Sequence, residues 1–444
     1  MSDYRRRSWW LETLPDDLAT NEALHGRQRV DVAVIGGGYT GLSAGYHLKK
    51  LQPDIDVHVV ESDICGYGAS GRNGGFSMTL FGLTKGITRL RFDDEKARSA
   101  HLYMQAAVDY LHDVITENGI DCDYERTGYL LVGTSPGQVR RVEHDFQIME
   151  QWGLSGVERW DRSRLAAEFH TDAYKLGWFE PRCGILNPAK LCRGLKTLAE
   201  EQGVTVYENS PVVSFGPKGA GPGFVIRTEG GQIHSDYLVL ATNAYSILFP
   251  ELGRLQYPAF THIVLSEPLT DEQYDSIGWK NRAGIEDARD LIHYYRLTRD
   301  NRIVMGGGDV TIGYGSDLDK DVNQKTFSHL ERHVTEVFPQ LEGIGFTHRW
   351  GGPVSVTLDM APVIGFLGED KSAVFSMGCI GHGVSMTTLN GRTIAELITG
   401  RQTERTAMFF VGRKMFPWPP EMLSYGLAKA VRGFMRMEDR LYYG

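Results

Sequence analysis

Apolar and polar positions along this chain follow two periods, and the places where the period changes outline the molecule. Residues 30 to 35 (VDVAVI) are a short, nearly continuous apolar run, the pattern of a strand buried on both faces of a parallel sheet. The run enters GGGYTG at 36 to 41, after which LSAGYHLKKL carries its apolar residues at helical spacing. A second run, DVHVVE, ends at Glu61. Strand, glycine turn, helix and strand in this order predict a βαβ unit. Farther along, Asn187 and Pro188 supply an N-cap and a first helical residue, KLCRGLKTLAEEQ carries the helix, and Gly203 stops it. VTVYEN and YLVLAT (237 to 242) predict two more strands.

Between these pieces the pattern differs. Residues 94 to 118 and 136 to 152 predict amphipathic helices, the second opening with Ser135 and Pro136 and closing at Gly153. YPAFTHIVLSE (257 to 267), and the pair LIHYYRLT and RIVMGGG joined by RDN, predict antiparallel strands. The expected fold is α/β: a Rossmann-type dinucleotide domain (28–92, 185–248 and 347–402) interrupted by a substrate domain (93–184 and 249–346) built on an antiparallel sheet plus helices. An N-terminal arm (1–27) and a helical tail (403–444) flank them. In the tail, Leu423, Leu427, Val431 and Phe434 form one stripe expected to pack on the body, with Lys429, Arg432, Arg436 and Arg440 elsewhere.

Composition narrows the function classes. A chain of 444 residues, 41% hydrophobic and 23% charged, can bury full-sized cores. Its net charge of -9 argues against a nucleic-acid binder, which would show a basic face. Five scattered cysteines, none spaced as CxxC, imply neither a disulfide framework nor a zinc knuckle, and a reducing, cytoplasmic compartment is expected. MSDYRRRSWWLETLPDD places acids where an export signal needs apolar residues, so it reads as a mature arm. No run of about 18 apolar residues occurs to suggest a spanning helix.

Gly36, Gly38 and Gly41 form G-x-G-x-x-G between strand and helix, with Glu61 about 20 residues on. Gly36 permits the tight turn, Gly38 admits a pyrophosphate to the helix N-terminus, and Gly41 lets helix and strand pack. Tyr39 and Thr40 open that helix, and Glu61 would accept the ribose hydroxyls. GYGASGRNGG at 66 to 75 then clears side chains from a second stretch of backbone while keeping Arg72.

DVAVIGGGYTGLSAGYHL, the segment from Glu61 to GASGRNGG, HYYRLTRDNRIVMGGG and GHGVSMTTLNGRTIAELITG together resemble the FAD-dependent D-amino-acid oxidase and glycine oxidase superfamily, most closely its gamma-glutamylputrescine oxidase branch. The resemblance implies FAD, with Ala69, Ser70, Arg72, Asn73, Gly74 and Gly75 beside its pyrophosphate, ribityl chain and ring. Arg72 would bring positive charge to phosphates or flavin, unless it is a solvated loop arginine. Val212 joins the cofactor contacts. Gly381, His382, Gly383 and Val384 would open a helix whose N-terminus faces the flavin pyrimidine and stabilises negative charge there on reduction. His382 is open to a catalytic or a positional reading. No acid-terminated strand follows GCIGHG, which weighs against a second nucleotide site. No cysteine precedes the Thr357-x-Asp359 segment and no histidine lies in 66 to 75, so noncovalent FAD is expected.

No metal is expected. His329 and His333 stand one helical turn apart but off the stripe of Phe327, Leu330, Val334 and Val337, and are read as a solvated face. Tyr294, Tyr295, Arg296 and Trp350 are the candidate catalytic residues. Strand alternation means the two tyrosines should not both line the pocket, and ordinary sheet packing is the other reading for either. Arg296 would anchor an anionic substrate end or favour oxygen reduction. The reaction implied is hydride transfer from a small amine with a polar or anionic tail to FAD, imine hydrolysis to aldehyde or keto acid, and reoxidation by molecular oxygen to hydrogen peroxide. A gamma-glutamylated polyamine, an aminophosphonate and an N-substituted amino acid all fit. The alternatives are a dehydrogenase passing electrons to a quinone or carrier protein, and a flavin-bearing binding or assembly subunit.

Overall fold

Two large sheets divide the strands. The computed structural model describes residues 4–218, 221–315 and 317–443, so the first three residues of the arm lie outside it. Gly26–Ile35 is central to the first sheet, pairing in parallel with Gly231–Leu240 on one side and Val57–Val60 on the other. Thr205–Tyr207 extends one edge and Ala373–Met377 with Val363–Leu367 the other. Alternation along VDVAVI sends Val32 and Val34 into one core and Ala33 and Ile35 into another. That two-sided burial explains the apolar run. Helices Tyr39–Leu51, Pro188–Glu201 and Val384–Ile398 contribute to the first of these cores. Asn187 caps its helix as expected, its side chain accepting from the Ala189 and Lys190 amides.

The second sheet orders Thr311–Ile312, Tyr257–Pro268, Arg302–Gly307, His293–Leu297, Gly284–Asp287, Tyr129–Gly133, Leu176–Glu180 and Glu158–Trp160. Its pairs are antiparallel except Gly284–Asp287 with Tyr129–Gly133. Phe346–Val356 also pairs along Tyr257–Pro268, from Ser266 with Phe346 to Tyr257 with Val356. The boundary expected at 347 therefore falls inside a strand, and sheet pairing carries the second unit to Val356. Helices Asp94–Glu117 and Pro136–Gln151 form as the periodicity predicts, whereas Lys85–Phe92 is an added helix that its many charges concealed.

The C-terminal helix, Glu421–Glu438, meets its expected orientation only in part, since Leu427 and Val431 of the expected stripe face a cavity under the second sheet. Leu423 and Phe434 are exposed, at 62% and 54%, while the small residues Ser424 and Ala428 face the body. Polar contacts seat the helix: Glu421 accepts from the Tyr257 hydroxyl at 2.8 Å, and Arg432 pairs with Asp309 at 2.6 Å. The turn that follows adds Asp439, which accepts from the amides of Asp290 and Leu291 at 2.8 and 3.0 Å. Short side chains let the helix approach closely, and Leu423 and Phe434, at the two ends of the expected stripe, are turned outward.

The histidine helix, Gln324–Val337, also differs from expectation. His333 is buried and His329 half-buried, because His293 of the neighbouring strand packs between them and Asp287. His293 Nε2 lies 3.0 Å from His329 Nε2, and His293 Nδ1 3.0 Å from Asp287 Oδ2. Ligand atoms of Asp287, His293 and His333 come within 4.8 Å of one another. The Arg289 guanidinium already contacts Asp287 and His293, placing one of the protein's own cations in the cluster.

Candidate active site

Two cavities meet where the sheets join. One, of about 240 Å³, lies against the glycine turn and the other, of about 330 Å³, lies under the second sheet. Ala69, Asn73, Val354, Gly381 and Val384 line both.

The first cavity has backbone for much of its wall. Gly36 sits at φ +111°, and a Cβ there would stand 2.6 Å from the Ala241 carbonyl oxygen. A Cβ on Gly38 would stand 2.8 Å from Ser70 Oγ. Helix Tyr39–Leu51 starts at this point and presents the amides of its first turn, with Thr40 on the cavity wall. Gly41 does not line the cavity; its Cβ would meet the Gly36 oxygen at 2.0 Å, which makes it a packing glycine. Tyr39 is on the wall, and its hydroxyl donates to the Pro188 carbonyl at 2.9 Å. Glu61 lines the same space; its Oε2 accepts from the Gly37 amide at 2.7 Å and its Oε1 from Ser62 Oγ at 2.8 Å. Burial raises its pKa and these donors oppose the rise. Ser70, Val212 and Gly383 also line it, with the N-terminus of helix Val384–Ile398 at the side shared with the second cavity, whereas Gly41, Arg72, Gly74, Gly75 and His382 of the expected set do not.

A cavity with a helix N-terminus, an acidic acceptor and a second helix N-terminus fits FAD, and the side-chain-free backbone of Gly36 and Gly38 on its wall leaves the first helix end open to an anionic group. One carboxylate that sequence reasoning missed underpins it. Glu208 is fully buried, accepts from the Cys65 and Asn21 amides at 2.7 and 2.9 Å, and pairs with Arg193 at 2.5 Å. The only sequence signal was an acid closing VTVYEN.

The glycine-rich loop is held carbonyl by carbonyl. Ser8 Oγ donates to Gly71 O at 2.6 Å, Trp350 Nε1 to Arg72 O at 2.8 Å, Trp10 Nε1 to Asn73 O at 2.9 Å, and Arg296 Nε to Gly74 O at 2.7 Å. The Leu186 amide donates to Gly75 O at 2.9 Å. Five successive carbonyls thus meet donors from the arm, two strands of the second sheet, and the segment before helix Pro188–Glu201. A loop with few side chains of its own is fixed by those of its neighbours.

This arrangement corrects three expectations. Arg296 is buried and does not line the second cavity; besides Gly74 O its guanidinium donates to Leu186 O at 2.6 Å and lies 4.7 Å from the centre of the Trp10 ring. Trp350 is likewise buried away from the cavity, beside Trp10. Both are positioning residues of the loop. Tyr295 points into the substrate-domain core, where its hydroxyl meets that of Tyr174 at 2.8 Å. Of the four candidates, Tyr294 alone lines the second cavity. Gly75 lines neither cavity, since a Cβ there would meet Leu186 O at 2.1 Å.

Arg72 borders the second cavity rather than the first, and its charge is already matched. Its Nε donates to Tyr67 O at 2.8 Å and its Nη1 pairs with Asp321 at 3.0 Å, a residue 249 positions away that also pairs with Arg7 at 2.9 Å. The charge expected to meet phosphates or flavin is thus balanced within the protein by a buried ion pair.

The remaining wall of the second cavity is largely apolar, with Phe76, Met78, Ile263, Ile292, Val431 and Met435 among its residues. Gly74 and His382 also line it, together with three carboxylates, Glu286, Asp290 and Asp309. Its other arginine, Arg432, pairs with Asp309. Glu286 accepts from the Tyr129 hydroxyl at 2.7 Å, and burial raises its pKa to about 7. His382 is buried, which lowers its pKa to about 4 and keeps it neutral; Nδ1 donates to Gly82 O at 3.0 Å. An apolar chamber with a carboxylate and a neutral imidazole, opening from a dinucleotide cavity, is equipped to orient a small basic molecule against a redox ring.

Comparison with known proteins agrees with this geometry. The profile of the DAO family, described as FAD dependent oxidoreductase, matches residues 31–397. The chain is 34% identical over 391 residues to gamma-glutamylputrescine oxidoreductase of Escherichia coli (strain K12), covering 88% of each chain. It is 26% identical to glycine oxidase of Bacillus licheniformis, covering 87% of this chain and 98% of that one. Among solved structures, glycine oxidase from Geobacillus kaustophilus superposes with a TM-score of 0.72 at 20% identity, over 88% of this chain and 100% of that one. L-proline dehydrogenase from P. horikoshii gives 0.71 at 22%, over 87% and 97%. At these identities the two structures speak to fold.

Proposed function

Because the chain belongs to the DAO family of FAD-dependent oxidoreductases, enzymes of amines and amino acids, we propose that it oxidises a small primary amine carried on a polar tail rather than a free amino acid. The observation that carries this reading is the charge of the second cavity. Of the three carboxylates that line it, Asp309 pairs with Arg432 and Asp290 with Arg141, which leaves Glu286 to meet a cation; both lining arginines are paired with aspartates, and no lysine is among the described lining residues. Such a wall suits a cationic amine and offers no uncommitted guanidinium to an α-carboxylate. The likeness to gamma-glutamylputrescine oxidoreductase supports a gamma-glutamylated diamine as the substrate class.

Bound FAD supplies the two-electron acceptor for the hydride that leaves the amine-bearing carbon. The chain's own residues do the rest. Gly36, Gly38, Glu61 and the pinned 71 to 75 loop hold the cofactor, Phe76, Ile292 and Tyr294 exclude water, and the amides opening helix Val384–Ile398 favour negative charge beside them. The product imine hydrolyses to an aldehyde, and molecular oxygen is the proposed final acceptor, giving hydrogen peroxide.

A second reading, transfer of electrons to a quinone or carrier protein, is favoured by the exposed Met422, Leu423, Phe434 and Met437 on the C-terminal helix, interspersed with Lys429 and Arg436. Anaerobic titration with a panel of amines, following the visible flavin absorbance and then admitting air, tests both. Bleaching by a gamma-glutamylated diamine with prompt recovery and peroxide is expected. Bleaching without recovery in air would favour the carrier, and bleaching only by amino acids would overturn the substrate class.

A further inference from the structure

Two hydrogen-bond acceptors confront each other in the second cavity. Glu286 Oε1 lies 3.9 Å from His382 Nε2, too far for a hydrogen bond and, with the carboxylate ionised, with no hydrogen to share. The reason is tautomeric. His382 Nδ1 stands 3.0 Å from the Gly82 carbonyl, which can only accept, so in the neutral ring Nδ1 carries the hydrogen and Nε2 presents a lone pair. On the carboxylate, Tyr129 serves Oε2 and no hydrogen bond among the described residues engages Oε1. Both acceptors belong to buried side chains, and both residues line the chamber next to Gly381 and Val384, which border the cofactor cavity as well. What the pair lacks is a donor with at least two hydrogens.

We infer that Glu286 Oε1 and His382 Nε2 form the amine-binding subsite, and that Glu286 is the base that takes the proton from the incoming ammonium. This rests on the reading of the protein as an amine oxidase. The step balances as R–CH2–NH3⁺ plus the Glu286 carboxylate giving R–CH2–NH2 plus the Glu286 carboxylic acid, with no change in oxidation state. The released lone pair then drives hydride loss from the adjacent carbon, and His382 Nε2 retains one amine hydrogen to fix the nitrogen's orientation. The groups facing Glu286 suit the task. Burial and Asp287 push its pKa up, while the Tyr129 hydroxyl and the Lys85 cation hold it down, leaving it near neutrality. Tyr129 and Tyr294 are buried with pKa values far above this range, and His382 titrates well below it. A base poised near 7 can accept an ammonium proton and return it.

The probe is a tert-alkyl primary amine, whose amine-bearing carbon has no hydrogen and which therefore binds without turnover. Calorimetry and the flavin difference spectrum read its Kd on the flavin-loaded enzyme between pH 6 and 9, beside an alcohol of the same carbon skeleton. Binding of the amine should weaken as pH falls through about 7, where Glu286 is protonated. Glu286→Gln should weaken it on the order of tenfold or more at pH 8 and abolish the acid limb, with alcohol binding unchanged. Tyr129→Phe removes a hydrogen bond to the ionised carboxylate, so the limb should move to higher pH, and this keeps the test open should Glu286→Gln fold poorly. An unchanged Kd and limb in Glu286→Gln, an unmoved limb in Tyr129→Phe, or no binding by the wild type would each overturn the assignment. Failure of the amine-oxidase reading shows separately, as wild-type flavin that no oxidisable amine bleaches.

Discussion

The two cavities are built from different materials. The cofactor cavity takes much of its wall from the backbone of three short glycine-bearing turns, each local in sequence and each at the end of a sheet strand or the start of a helix. The substrate cavity is bordered by glycines too, at 74, 307, 308, 351, 352 and 381, but these come from segments far apart in the chain, and the rest of its wall is made of residues of strands Tyr257–Pro268, Gly284–Asp287 and His293–Leu297 and of the C-terminal helix. Backbone approach demands glycine at fixed offsets and so leaves a spacing in the sequence. A wall of side chains demands only size and polarity at positions that folding brings together.

If that contrast is right, one methyl-sized intrusion should destroy the first site and leave the second able to adapt. Gly38→Val is expected to purify without flavin, because a Cβ alone would lie 2.8 Å from Ser70 Oγ and the side chain would crowd the helix N-terminus that would hold a pyrophosphate. Ile292→Ala, in the substrate cavity, should keep full flavin and change only KM. Flavin-to-protein absorbance ratios decide it, and a fully loaded Gly38→Val would erase the distinction.

The loop at 66 to 75 lies between these extremes, and a sharper test is to remove one of its pins. Arg296→Met strips three buried donor contacts, to Gly74, Leu186 and Leu297 carbonyls. We expect a loss of about 3 kcal/mol or more in unfolding free energy and weaker flavin retention, measured by denaturant titration and by flavin release on dilution. A substrate-anchoring Arg296 would instead raise KM with stability and flavin intact.

These results also show why parts of the molecule were legible in advance. The βαβ unit, the Asn187 cap and the hairpin of His293–Leu297 with Arg302–Gly307 follow from local rules of period, capping and turn chemistry, and they form where predicted. The pairing of Arg72 with Asp321 leaves no mark in the sequence, because the two stand 249 positions apart. Arg296 and Trp350 were read as pocket residues because polar and aromatic groups near a site look alike whether they touch ligand or hold the wall. His333 was taken as solvated because its own helix says nothing of His293 beside it. The C-terminal helix was legible only in part: Leu427 and Val431 of its apolar stripe face the substrate cavity, while Leu423 and Phe434 are exposed and the small Ser424 and Ala428 make the close contact.

Within the substrate cavity, Glu286 separates function from stability. Its folded pKa, about 7, lies above the ordinary 4.5, so the folded state binds more protons between these values and its stability falls as pH rises through that window. Glu286→Gln, which can still accept from Tyr129, should therefore be more stable than wild type at pH 8, by up to about 3 kcal/mol, with the difference vanishing below pH 4.5. Thermal unfolding across that range measures it. An equal Tm at pH 8 would mean that Glu286 is better solvated than its burial indicates.

The smallest expected effect divides neighbours on a single strand. Tyr294 faces the cavity, with its ring so close that a Cβ on Gly74 or Gly306 would lie 2.7 or 2.3 Å from it. Tyr295 faces the core and Tyr174. Tyr295→Phe leaves the Tyr174 hydroxyl buried without its partner and should cost about 1 kcal/mol, seen as a lower denaturant midpoint with kcat and KM unchanged. Tyr294→Leu should shift KM for the amine while flavin content holds. The register of His293–Leu297 against Arg302–Gly307 fixes which residue faces which way. A kinetic effect at 295 with none at 294 would require that strand to be turned over, and with it the wall that Tyr294 gives the substrate cavity.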